Sequence, residues 1–197
     1  PKSNIWEEKN LRRFYEQTSR VDSRITGMPI LMLIFIDLIK DKGTLSVILG
    51  TIVIFILLLM DFRSIKYTLI ALVPLFVGAV WMLGLMYMFR MKLNINNFMA
   101  LPIIIGIGID DGVHMLHRYV IEGKNSMDKV TRFTGKAILL TSLTTMIGFG
   151  SIGLATHRGL ASMGAVLVLG VGSCFISSAF LLPAMVSLKD KLRKKEK

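Results

Sequence analysis

A single cysteine, Cys174, rules out a disulfide framework and leaves no thiolate set for a structural zinc. It lies in an apolar run and reads as a small core residue. Acidic residues are also scarce: 13 Asp and Glu stand against 24 Lys and Arg, a formal net charge of +11. Such an excess can mark a nucleic-acid partner. Its placement argues against one here, because the basic residues collect at the ends of apolar segments and in the tail. That is the pattern of membrane topology. The chain has no secretory signal pattern and begins with Pro1, so it reads as a piece of a longer polypeptide.

What the chain has in abundance is apolar length. Hydrophobic residues make up 53% of it and the mean hydropathy is +0.61, a balance that soluble domains rarely reach. The class expected is an all-α polytopic membrane protein. Residues 1–42 are set apart as a non-spanning region, with a helix expected over Ser3–Arg20 and a breaker cluster at Thr26-Gly27-Met28-Pro29. Trp6, Phe14 and Tyr15 are the large aromatics before that cluster. The apolar stretch Ile30–Ile36 is too short to span and suits an interfacial or packed segment.

Five spans are expected within a transmembrane domain of residues 43–188: 44–60, 65–89, 97–116, 137–155 and 159–188. Pro74, Pro102 and several glycines inside them are tolerated where neighbours satisfy the freed backbone. The last span is long enough that it must tilt or project. Residues 189–197 form a basic tail. With five spans, thirteen Lys and Arg fall on the side of the C-terminus and three on the other. The C-terminus is therefore expected in the cytoplasm of a cell (inner) membrane, with residues 1–42 outside. The loop 118–136 is long enough for a short amphipathic surface helix.

Two adjacent carboxylates, Asp110 and Asp111, interrupt the third span. A charge at mid-bilayer costs about 2.5–3.5 kcal/mol on insertion scales, so such residues mark ion or proton pathways by default. The plain alternative is a wet loop or a helix end, which the apolar flanks disfavour. On a helix, Ile103, Gly106, Asp110, His114 and His117 share one stripe, and Asp111 turns by 100° toward another neighbour. Gly106 and Gly108 allow another helix to approach. In the fourth span, Thr141, Thr144, Thr145 and Gly148 share a side, with Ser142 among them. Hydroxyls there can serve a carboxylate, or simply bond their own helix carbonyls. Gly170, Ser173, Ser177 and Ser178 of the fifth span are read as packing residues. Two neighbouring carboxyls titrate as one coupled unit, which suits proton uptake on one side and release on the other.

Three other chemistries fit less well. Gly148-Phe-Gly-Ser-Ile-Gly153 matches a dinucleotide fingerprint but has no strand before it. Asp110, His114 and His117 could ligate a metal, yet the histidines fall near the membrane surface, so no metal is assigned. Gly106-Ile-Gly108-Ile-Asp110 has one residue too many for an intramembrane aspartyl protease, and the partner motif is missing. No catalytic residue is assigned.

The stretches Gly106-Ile-Gly-Ile-Asp-Asp-Gly-Val-His-Met-Leu-His-Arg-Tyr119, Ala137-Ile-Leu-Leu-Thr-Ser-Leu-Thr-Thr-Met-Ile-Gly-Phe-Gly150 and His157-Arg-Gly-Leu-Ala-Ser-Met-Gly164 together resemble the resistance–nodulation–division superfamily, in particular its MMPL-like branch. The resemblance covers residues 22–188. It implies spans eight to twelve of a twelve-span, two-half exporter, and the end of an extracytoplasmic porter domain at 1–42. It also implies a proton gradient in place of any cofactor, and a lipid or other hydrophobic substrate. The bilayer and an N-terminal half would be the partners, and a homo-oligomer stays open. By the same resemblance Asp110 is the relay aspartate, with Asp111 beside it where much of the branch has Tyr. Thr144 or Thr145 supports it, with Thr141 and His114 nearby and Gly106, Gly108 and Gly148 in packing. A protein-export accessory and a sterol-sensing or lipid-receptor relative are the alternatives.

Overall fold

The computed structural model describes residues 8–20, 27–91, 94–123 and 125–195. Trp6, Thr26, Lys92 and Lys124 lie outside the described residues. Among those described there is no strand, and the chain forms two compact units, residues 1–46 and 47–197.

In the first unit, α1 (Glu8–Ser19) packs against α2 (Met28–Leu38). Leu11 is buried on one side, with Ile30 and Leu33 buried on the other. Pro29 occupies the first turn of α2, where its missing N–H costs nothing. Arg12 bonds Glu8 at 3.2 Å and also pairs with Asp37 of α2. These pairs are exposed, so they contribute little stability and chiefly set register. A π-helical turn, Ile39–Gly43, follows α2.

The second unit holds α3 (Thr44–Phe62, which opens in the first), α4 (Ile65–Met88), α5 (Ile95–Glu122), α6 (Met127–Gly153) and α7 (Arg158–Lys195). Among the described residues five helices are long and apolar enough to cross a membrane, and the first of these candidate spans begins at Met28. Ile30–Ile36 lies in α2, within the first of these candidate spans. Among the described residues of 118–136 there is no separate surface helix. Residues 118–122 continue α5 and 127–136 open α6, because nothing breaks the helical ladder until Gly123. The turn there is tight, with Gly123 at φ 88° and Asn125 at φ 63°. Such left-handed residues end helices, and Arg63 and Arg90 do the same after α3 and α4.

Helix α7 is the axis of the unit. It packs against α4, α5 and α6, and buries Val166, Leu167, Val171, Cys174, Leu182 and Val186. At 38 residues it is about 57 Å long, far beyond a hydrocarbon core of about 30 Å. Small residues set each crossing, since in lipid close backbone contact replaces the hydrophobic drive. A Cβ at Gly78 of α4 would lie 2.7 Å from Cys174 Cα, and one at Gly108 of α5 would lie 2.6 Å from Cys174 Sγ. A Cβ at Gly164 would meet the Gly153 nitrogen of α6 at 2.5 Å. Gly106 and Gly148, by contrast, have nothing within 4 Å of such a Cβ. Of the three glycines expected to pack, only Gly108 does so within this chain.

Candidate functional site

Asn94 starts the aspartate helix. Its side-chain oxygen accepts the Asn97 N–H at 2.9 Å, an N-cap. Ser162 of α7 donates to the Asn97 side chain at 2.8 Å and accepts from the Asn94 amide at 3.2 Å, pinning the start of α5. At the far end, Tyr119 donates to both Asp190 oxygens at 2.8 and 2.9 Å. The Asn125 N–H reaches the same carboxylate at 3.2 Å. The helix that carries the aspartates is therefore anchored to α7 at both ends.

Between these anchors the two carboxylates diverge. Asp111 is 8% exposed, and Ser142 of α6, itself buried, donates to its Oδ2 at 2.9 Å. Gly112 next to it lets α4 come close, since a Cβ there would lie 3.3 Å from the Ala71 carbonyl. Asp110 faces outward. It opens with Asp111 on a cavity of about 520 Å³ between α5 and α6, whose walls include His114, His117, Arg118, Thr134 and Thr141. Below it, Arg118 and Lys129 pair with Glu122 at 2.5 and 2.7 Å.

The structure brings Asp110, Asp111, His114 and Thr141 to one cavity. It does not bring Thr144 or Thr145 to the carboxylates. Thr144 donates to the Leu140 carbonyl at 2.8 Å and Thr145 to the Thr141 carbonyl at 2.9 Å. Thr141 donates to Ile138 at 3.0 Å. A threonine hydroxyl in an apolar helix finds its own backbone first. The hydroxyl that reaches a carboxylate is Ser142, one residue from Thr141 and on the buried edge of α6. In the sequence it was one of four adjacent hydroxyls. What separates it is the i, i+4 pairing with Ile138, the other residue of that helix segment that is buried.

The MMPL family matches residues 9–196. A membrane protein of Methanocaldococcus jannaschii, MJ1562, is 30% identical over 172 residues, which is 84% of this chain and 44% of that protein. The hopanoid transporter HpnN of Rhodopseudomonas palustris is 27% identical, over 94% of this chain and 21% of its own length. HpnN of Burkholderia multivorans is 28% identical, over 89% and 20%. The chain thus spans less than half the length of the relatives it matches. A membrane-spanning all-α chain with the glycine–aspartate and threonine stretches quoted above, matched by this family over nearly its whole length, belongs to the MMPL family of the resistance–nodulation–division superfamily.

Proposed function

We propose that this chain is part of a proton-coupled exporter of lipid or other hydrophobic molecules, with Asp110 and Asp111 as its intramembrane relay. The observation that carries the reading is the split pair. One carboxyl is buried and held by Ser142, and its neighbour opens on a cavity walled by His114, His117 and Arg118. Water in that cavity would connect Asp110 to the end of α5, while Asp111 ties the same turn to α6. A change of proton number at Asp110 then acts on the packing of two helices, which is what coupling requires. Relatives named as hopanoid transporters support polycyclic lipids as the substrate class.

The test uses the intact protein in proteoliposomes with an imposed pH gradient and a hopanoid load. Wild type should move protons only when lipid is present, and Asp110→Asn should not. Gradient-independent lipid binding with no proton flux in wild type would favour a lipid receptor instead. The orientation is tested separately. Single cysteines at Asn125 and His157, both exposed, in a protein otherwise stripped of reactive cysteine, are the reporters. They should label from opposite sides, with Asn125 cytoplasmic.

A further inference from the structure

A second cavity, of about 680 Å³, lies between the start of α4 and the end of α7, away from the aspartates. Its polar wall is Ser64, Lys66, Tyr67 and Lys189. Lys189 Nζ stands 4.2 Å from the centre of the Tyr67 ring. A cation at that distance is held by the ring's negative face, so the ammonium is positioned over the cavity. Among the described residues no carboxylate lines it. Asp190, the next residue along α7, is turned to Tyr119. The rest of the wall is apolar: Met185, Leu188 and Leu192. These residues lie where the sequence of α7 changes from apolar to basic.

Two lysines with Ser64 and Tyr67, together with leucine and methionine side chains in the same lining, match an amphiphile with an anionic head. Lysine binds phosphate as a point charge, and basic pockets between membrane helices hold anionic headgroups. A free phosphate would use the lysines but leave the apolar wall without a partner. We propose that this cavity binds an anionic phospholipid, its phosphate on Lys66, Lys189 and Ser64 and an acyl chain along Met185, Leu188 and Leu192. The proposal does not rest on the proton-relay reading, and its test involves no transport.

The test is native mass spectrometry of the detergent-solubilised intact protein, with phosphatidylglycerol and phosphatidylcholine added at equal concentration. Wild type should retain phosphatidylglycerol preferentially. Lys66→Gln and Lys189→Gln should each lower that retention about fivefold, from the energy of one lysine near an anionic surface. Lys66→Arg and Lys189→Arg should keep it. Lys191→Gln removes the same charge from the same helix end, outside the cavity, and should leave retention unchanged. The proposal is overturned if Lys191→Gln acts as strongly as Lys189→Gln. It is overturned equally if the two lipids bind alike, or if excess inorganic phosphate displaces phosphatidylglycerol.

Discussion

The two faces of α5 differ in everything but their helix. One face carries Ala100, Ile104, Gly108, Asp111, Met115 and Tyr119, all buried against α4, α6 and α7. The other carries Met99, Gly106, Asp110, His114 and His117, all exposed within this chain. The charged stripe is thus on the open face, and the single carboxylate on the packed face has its own hydroxyl donor. In water such an arrangement would be unremarkable. In a membrane an open stripe holding a carboxylate and two histidines is costly against lipid, so that face must meet water or another protein surface. Asp111 ties α5 to α6 through Ser142, and in the proposed relay Asp110 is the carboxyl that meets the cavity.

The strongest way to break this comparison is to neutralise each carboxyl in turn. Asp110→Asn should reduce proton-coupled flux to background while membrane abundance stays at wild type. Asp111→Asn should keep measurable flux, because its amide still accepts from Ser142. Flux normalised to abundance decides the order. A reversed order would move the relay to the packed face and leave Asp110 a solvated charge.

Glycines sharpen the same contrast through stability. Gly78→Ala and Gly108→Ala put a Cβ within 2.7 and 2.6 Å of Cys174, and overpacking of this kind costs about 1–3 kcal/mol. Gly106→Ala meets nothing within 4 Å, so the helix propensity gain of up to about 1 kcal/mol is unopposed within this chain. The sites differ further in their partner atom. Of Cys174, Gly108 meets the side chain, whereas Gly78 meets the backbone Cα and N at 2.7 and 2.9 Å as well as Sγ at 2.8 Å. Adding Cys174→Ala removes the nearest clash at Gly108 but leaves the backbone clash at Gly78, so it should recover more thermal stability in Gly108→Ala than in Gly78→Ala. Equal rescue of both would mean that α7 shifts as a body.

The five spans were legible because their signal is one of length and composition. Twenty apolar residues bounded by Arg or Lys need no tertiary information, and the boundaries differ where polar turns continue the helices, as at 117–122 and 127–136, and in the first candidate span, which begins at Met28. The carboxyl pair was legible because charge in apolar sequence is rare. Which hydroxyl served it was not. In a soluble helix the apolar stripe marks the inside, but α6 is apolar on nearly every side, so its sequence does not say which edge faces α5. Gly78 and Gly108 pack on Cys174 while Gly106 does not, for the same reason. Small residues permit close approach, and only the neighbouring helix decides where that approach occurs.

The smallest expected effects come from the hydroxyls of α6, and they carry the finest distinction. Ser142→Ala leaves Asp111 Oδ2 buried without its donor, a loss of about 1–3 kcal/mol. Thr144→Val and Thr145→Val remove hydroxyls that only bond their own helix carbonyls. Those carbonyls keep their helical N–H partners, so each change should stay within about 0.5 kcal/mol. Ser142→Thr keeps the oxygen, and its added methyl faces a packed edge, so it should fall between the two. Thermal unfolding of the four variants in one detergent gives the ranking. If the threonine variants lose as much as Ser142→Ala, α6 must turn on its axis in another state of the transporter. Its threonine face would then reach the aspartates there, and the Ser142 bond would describe one end of a rotation.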